Sequence, residues 1–438
     1  MEWYYTLALL LGGLVFLMLL GLPVVFAFFG VNVVGAYFVL GGEAGLNQLV
    51  RNAVDSVKQF ALIPIPLFVL MGEVMFFTGL AVTAIDAIDR MIRRVPGRLS
   101  LVAIVGGTIF SSLSGSSIAN TAMLGSTLLP EMYRRGYRPA IAIGPIIAVG
   151  GIAILIPPSS LAVLLGSLAK IPVADLLVAS IVPGLLLGLL FFAYVILRCL
   201  LNPALAPSYE VPRRSLVETF LPFVKYVLPL FLIFVVVVGS MLEGIATPTE
   251  AAALGAVASV VAAAAYGKLS WANLVRSVKE TLRVTVMTLF IICGSVTFSQ
   301  VLAFSGATQG LSTVVLGLEL SPMAVMIGML LILVFLGCFM DQVSMMMITL
   351  PLFMPVAQQL GFDLVWFGTL MLLVLEISLL TPPFGILLFV ARGVAPRGTT
   401  MGQIINSALP FVGLEFLVLI IVVLVPGLTL WLPSLMAR

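Results

Sequence analysis

Histidine is absent from this 438-residue chain, and charged residues make up only 9% of it. Without an imidazole the usual general base, proton shuttle and metal ligand are all missing, and a serine–histidine dyad is excluded. Cysteine is nearly absent too: Cys199, Cys293 and Cys338 stand apart in apolar surroundings, with neither metal-ligand spacing nor a disulfide framework. The net charge of +3 is too small to suggest a nucleic-acid partner, and the basic residues sit in short clusters between apolar runs, where membrane topology accounts for them. What the chain does have is apolar length. It is 62% hydrophobic, with mean hydropathy +1.26, and its repeated runs of about 20 residues are each long enough to cross a hydrocarbon core. The expected class is an all-α polytopic membrane protein. The first run follows Met1-Glu2-Trp3-Tyr4-Tyr5, which lacks the basic region of a cleaved signal peptide, and is expected to remain as an anchor.

One apolar stretch is broken in its middle by Ser111-Ser112-Leu113-Ser114-Gly115-Ser116-Ser117. Arg90, Arg93, Arg94 and Arg98 precede it, and Arg134, Arg135 and Arg138 follow it. Lys/Arg-rich flanks lie on the cytoplasmic side, so both ends face one compartment and residues 100–132 read as a re-entrant hairpin. Polar backbone at membrane depth survives only where it lines a cavity or is buried in protein. The run that follows, about 139–169, is interrupted by Gly150-Gly151 and Pro157-Pro158 and reads as a discontinuous helix. Before these lie spans at about 5–20, 23–42 and 60–80. A polar connection at 43–58 reads as a surface-lying helix, and Ala81 to Arg94 as an amphipathic helix. A span at about 176–199 closes residues 1–200, and a basic, Pro-containing cytoplasmic connection fills 201–220.

Residues 221–438 repeat the plan: spans at about 221–241, 250–266 and 284–304, an interrupted stretch at 321–357, a broken run at 364–390, and a last span at about 405–430. The interruption here is Gly337-Cys338-Phe339-Met340-Asp341-Gln342, and its flanks carry no Lys or Arg, so this hairpin should enter from the opposite face. One offset of 225 residues aligns Pro130 with Pro355, Gly136 with Gly361, Pro157-Pro158 with Pro382-Pro383, and Ser116-Ser117 with Asp341-Gln342. Alternation places every Lys and Arg on one side except Arg51, Lys58, Lys170 and Arg438. Five spans plus a hairpin per half invert the second repeat relative to the first, the architecture of secondary transporters.

The motifs Ser114-Gly115-Ser116-Ser117-Ile118-Ala119-Asn120, Ile156-Pro157-Pro158-Ser159, Thr381-Pro382-Pro383 and Gly244-Ile245-Ala246-Thr247-Pro248-Thr249-Glu250-Ala251-Ala252 resemble the large membrane subunit of tripartite ATP-independent periplasmic (TRAP) transporters. The resemblance covers nearly the whole chain. It implies an elevator-type carrier in the bacterial inner membrane, with sodium-driven uptake of an organic acid delivered by a periplasmic binding protein. It also implies a small four-helix membrane subunit as a separate partner chain.

At each tip one half-helix ends and another begins, so unpaired carbonyls can face a cation while N–H groups and a positive dipole end face an anion. Candidate Na+ ligands, for two or more sites, are Ser114, Ser116, Ser117, Gly150, Gly151, Asp341 and Thr381. Candidate substrate contacts are Ser117, Asn120, Pro158, Gln342 and Pro383. Against these stand plainer readings: serines that bond a neighbouring turn, Pro-Pro pairs that only kink, and Asp341 as a helix N-cap, which is compatible with ligation. Glu73, Glu376 and Glu415 lie inside apolar runs with no role assigned, and Thr247-Pro248-Thr249-Glu250 reads as a capping box. An intramembrane aspartyl hydrolase would carry Gly-x-Gly directly before its aspartate, where Asp341 has Gly337-Cys338-Phe339-Met340. A channel would need an open pore in place of blunt hairpins. A dicarboxylate/sodium symporter working without a binding protein would pair Ser-Asn-Thr tips, met here only as Ala119-Asn120-Thr121.

Overall fold

The computed structural model describes residues 2–92, 95–207, 215–383 and 385–436, without the side chains of residues 112–114 and 216. Arg93 and Arg94 lie outside the described residues, as does the side chain of Ser114. The described residues form helices and connections, with no strand among them. Among the described residues, six helical segments are long and apolar enough to cross a membrane: Phe60–Phe77, Val173–Leu201, Val217–Leu242, Pro248–Ala265, Trp271–Phe304 and Met401–Leu424.

Local signals in the sequence explain where many helices start. Thr247 and Glu250 close a reciprocal capping box ahead of Pro248–Ala265, with Pro248 at the first helical position, where its missing N–H costs nothing. Ser215 with Glu218 and Thr400 with Gln403 do the same for Leu216–Pro222 and Met401–Leu424.

Two helices are buried on every side along most of their length. Pro139–Gly151 is buried at each position from Ile141 onward, and Leu364–Leu380 at each position from Trp366 onward. A helix with no polar stripe belongs at the centre of a bundle, and both of these are the first arm of a broken helix. Around them pack the helical hairpins Arg98–Ser114/Ser117–Arg134 and Pro322–Gly337/Gln342–Gln359, together with Ile181–Leu201 and Met401–Leu424. A second group forms where Trp271–Phe304 lies against Val24–Val39, Glu43–Val57 and Pro64–Phe77, and Pro248–Ala265 packs on Pro64–Phe77. In lipid, helices associate through close packing rather than release of water, and glycines provide the contact points. Gly144 sits on the Ser407 carbonyl, Gly255 on Met71 and Gly294 on the Phe28 ring.

Arg98–Ser114 and Ser117–Arg134 flank the first serine/glycine interruption, and Pro322–Gly337 and Gln342–Gln359 flank the second. Four differences stand out. The span expected at about 284–304 is a 34-residue helix beginning at Trp271. Its first turns carry Arg276, Lys279, Glu280 and Arg283, so hydropathy marked the apolar part of the helix rather than its start. The connection after Gly306 contains a helix, Ala307–Gly317. The last span divides into Met401–Leu424 and Gly427–Ser434, with Pro426 at the N-cap of the second piece. Finally, Ile181–Leu201 and Met401–Leu424, read from the sequence only as spans, pack with the hairpins and broken helices.

Arg98 is 7% exposed rather than a free flank. Its guanidinium pairs with Asp89 at 2.8 Å and donates to the carbonyls of Ile92 (2.5 Å) and Asp89 (2.6 Å), tying the amphipathic helix Leu80–Met91 to the first hairpin. At the far end of that hairpin, hydrogen bonds from Arg134 and Arg135 hold the Glu131 carboxyl below the usual carboxylate range.

Candidate functional site

At the first tip, Gly115 takes a left-handed conformation (φ 56°), and a Cβ there would lie 2.8 Å from the Pro158 carbonyl oxygen. Glycine is required twice over, by conformation and by the approach of another backbone. Ser116 caps the outgoing arm by accepting from the Ala119 N–H at 3.3 Å, and Ser117 begins that arm half-buried. The tip thus rests on the first Pro-Pro break. Pro158 is buried there, and Ser159 caps the helix leaving the break, accepting from the Ala162 N–H at 3.2 Å.

Asn120 is fully buried. Its amide donates to the Gly107 carbonyl (3.1 Å), the Ser111 hydroxyl (2.6 Å) and the Val149 carbonyl (3.4 Å), so it stitches the two hairpin arms to the first broken helix. Its Oδ1 has no partner, and neither does the fully buried Thr121 Oγ1, which lies against Gly150. Gly151, one residue on, meets the second half of the chain: a Cβ there would be 3.0 Å from Glu376 Cγ and 3.2 Å from its Oε1. The glycine pair lets a hydroxyl and a carboxyl reach the backbone at the end of Pro139–Gly151.

At the second tip, Asp341 caps Gln342–Gln359, accepting from the Ser344 N–H at 3.1 Å and from the Ser344 hydroxyl. Gln342 is half-buried with its Nε2 unpartnered. Gly337 presses on the Ser378 side chain. A cavity of about 260 Å³ lies here, bounded by Asp341, Gln342 and Ser378 and closed by Met18 and Val24 from the first two helices. At the second break the Thr381 hydroxyl donates to the Ile377 carbonyl (2.7 Å), and the Thr381 carbonyl accepts from the Gly385 N–H (3.0 Å). The hydroxyl oxygen retains lone pairs for a further ligand. Pro383 is exposed, and both Pro-Pro bonds are cis.

The four pieces are contiguous. Tip one meets break one through Gly115 and Pro158, break one meets break two through Gly151 and Glu376, and break two meets tip two through Ser378 and Gly337. Gly125 of the first hairpin also packs on Val394 beyond the second break. The candidate residues therefore fall into two neighbouring sets. Ser116, Ser117, Asn120, Gly150, Gly151 and Pro158 belong to the first; Asp341, Gln342, Thr381 and Pro383 belong to the second.

Three side chains given no role from sequence sit in this core. Glu376 and Glu415 are fully buried with all four carboxyl oxygens unpartnered, and Thr121 holds the unpartnered hydroxyl at Gly150. The available signal for the glutamates was their presence inside apolar runs, where an ionisable side chain is costly. Spare oxygen acceptors, helix-end carbonyls and helix-start N–H groups converge here, a chemistry able to hold a hard cation beside a small anion.

The chain matches the family model described as "Tripartite ATP-independent periplasmic transporter, DctM component" over residues 11–428. It is 34% identical over 383 residues to the C4-dicarboxylate TRAP transporter large permease protein DctM of Pseudomonas aeruginosa, covering 87% of this chain and 88% of that protein. It is 29% identical to the sialic acid TRAP transporter large permease protein SiaM of Vibrio cholerae, covering 96% of each. It is 30% identical to the isethionate TRAP transporter permease protein DctMQ of Oleidesulfovibrio alaskensis, covering 94% of this chain and 66% of that one. Among solved structures, the YdaH transporter of Alcanivorax borkumensis superposes with a TM-score of 0.65 at 14% identity, covering 89% of this chain and 90% of that one, a likeness of fold. A match this long, joined to helices fit to span a membrane many times, makes the chain a multi-pass transporter permease rather than an enzyme, and it belongs to the DctM family, the large membrane subunits of TRAP transporters.

Proposed function

We propose that this chain carries out sodium-coupled secondary uptake of a small organic acid across the bacterial inner membrane. A periplasmic binding protein delivers the substrate, and a separate small membrane subunit is the chain's partner. The observation that carries the reading is the contiguity of two helix tips and two helix breaks around buried, unpartnered oxygens. Relatives named for a C4-dicarboxylate, a sialic acid and isethionate share an anionic head group, which suits helix N-termini as the receiving site.

Sodium fits the donor set. Hard cations take oxygen ligands, and the first set offers the hydroxyls of Ser116 and Ser117, the Thr121 hydroxyl and the carbonyls at Gly150 and Gly151. The second offers Asp341 and Thr381. Ser117, Asn120, Pro158, Gln342 and Pro383 then border the substrate, with Asn120 acting through the tip it stitches in place. In this reading the hairpin that ends at Ser116 is entered from the cytoplasm and the one that ends at Asp341 from the opposite face, as the arginine asymmetry of their flanks suggests. The tips and breaks move as one body, because separating them would strand backbone groups in a medium without water, at several kcal/mol per group by rough estimate.

The test is uptake into vesicles holding this chain with a small membrane subunit and a periplasmic binding protein. Saturable accumulation that requires an inward sodium gradient and the binding protein is expected. Accumulation indifferent to sodium, or flux linear in solute, would overturn the proposal.

A further inference from the structure

A second cavity lies well away from the tips. It measures about 580 Å³ and is enclosed by the end of Ser160–Ala169 and Lys170, by residues 295–303 of Trp271–Phe304, and by residues 350–358 of the second hairpin. It therefore separates the central bundle from the surrounding group, on the side that alternation makes non-cytoplasmic. That volume falls in the range of small-molecule sites.

The charge on the lining is positive. Lys170 is its sole charged residue. Lysine occupies the left-handed position (φ 57°) that ends the preceding helix, a place where glycine or asparagine is favoured. Gln300 is oriented by a relay: Gln48 Nε2 donates to Asn52 Oδ1 at 2.8 Å, and Asn52 Nδ2 donates to Gln300 Oε1. That bond fixes which end of the Gln300 amide faces Asn52 and leaves its two N–H donors for a ligand. Gln59 and Gln358 add two more amides. The hydroxyl protons of Ser167, Ser295 and Ser299 are spent on backbone carbonyls.

We propose that this cleft is a waiting site for a small organic anion, a carboxylate or sulfonate, which Lys170 and Gln300 hold between the two helix groups before it reaches the tips. The site rests on the organic-acid reading for its biological role, but its test does not depend on transport. Lys170 supplies the charge, and Gln300 supplies directed hydrogen bonds. Met347, on the same hairpin arm, accepts from Ser295 across the boundary at 3.1 Å, so sliding of the bundle would reshape the cleft and release the anion inward.

Ala303→Cys places a thiol on the exposed rim. In right-side-out vesicles with the full chain, we compare its modification by 2-sulfonatoethyl methanethiosulfonate and by the 2-trimethylammonioethyl reagent, subtracting labelling of the native cysteines. The anionic reagent should react about tenfold faster relative to the cationic one than with a free thiol, and less so at high salt. Succinate, acetate or isethionate should protect saturably. Lys170→Gln should abolish preference and protection, and Lys170→Arg should restore both. Gln300→Leu should weaken protection while leaving the charge preference in place, which separates a binding site from a mere positive potential. Equal rates for the two reagents, preference that survives Lys170→Gln, or no protection by any of the three anions would overturn the proposal. Failure of sodium-driven uptake would count against the coupling mechanism alone.

Discussion

Asp341 performs one visible task, capping Gln342–Gln359, and is proposed for another, binding sodium. Two substitutions separate them. Asparagine is as good an N-cap as aspartate, whereas alanine loses the cap at a cost of about 1 kcal/mol. Asp341→Asn should thus keep the bond from the Ser344 N–H and leave the thermal midpoint of the purified protein nearly unchanged, while Asp341→Ala lowers it. The charge is the second quantity. A unit charge about 4 Å from a cation contributes about 4 kcal/mol at an effective dielectric near 20, before dehydration takes back part of it. Retaining even a third of that corresponds to about a tenfold rise in the sodium concentration for half-maximal uptake, and both variants should show it. The assay is initial uptake rate against external sodium in proteoliposomes, with the melting curve measured on the same preparation. Asp341→Asn with native sodium dependence, beside Asp341→Ala that loses only stability, would reduce Asp341 to a cap and refute the second-site assignment.

Cysteines at Arg138 and Glu319, both exposed, should label from opposite faces, Arg138→Cys from the cytoplasm only; labelling of both from one face would refute the inverted topology. Gly115→Ala combines a left-handed backbone with a Cβ 2.8 Å from the Pro158 carbonyl, and should destabilise by about 2–4 kcal/mol, read as lost thermal stability and uptake. A Cβ on Gly125 would lie 3.5 Å from that of Val394, within disulfide range. Oxidising a Gly125→Cys/Val394→Cys pair should leave uptake intact because both sites belong to the central body. A crosslink from Ser295→Cys to Met347→Cys bridges the two helix groups and should stop uptake; the opposite pattern would show that the moving and static parts are divided elsewhere.

The two tips and two breaks could be read from the chain because their signals are local. Serine and glycine interrupt an apolar run between arginines, and paired prolines recur at a fixed offset. Caps were equally readable, since Thr247, Glu250 and Asp341 meet partners three residues away. Glu376 and Thr121 were not, because each finds its place only when the halves or the hairpin fold onto Gly150-Gly151. Arg98 misled for a related reason: as a flanking cation it carries topological information, yet its guanidinium is consumed by Asp89 and two carbonyls. Asn120 stands near the tip in the sequence, but the three bonds by which its amide also braces the hairpin arms against the first broken helix appear only on folding. A side chain with several hydrogen-bonding atoms has a local position that sequence reveals and a set of partners that only packing decides.

The helix Trp271–Phe304 has a consequence for the bilayer itself. Its 34 residues extend about 50 Å at 1.5 Å per residue, against a hydrocarbon thickness of about 30 Å. The charges from Arg276 to Arg283 keep its first turns out of the hydrocarbon, and Arg276 lies over the Phe77 ring at 5.6 Å, braced by the helix alongside. What remains below is an apolar rod of fixed length. In a thinner or thicker membrane such a rod changes its tilt, at fractions of a kcal/mol per Å of mismatch. The hairpin arm packed against it would feel that tilt as a change in the slope of its track. Acyl-chain length should therefore act on this permease as a mechanical load, altering turnover without touching any group that binds solute or ion.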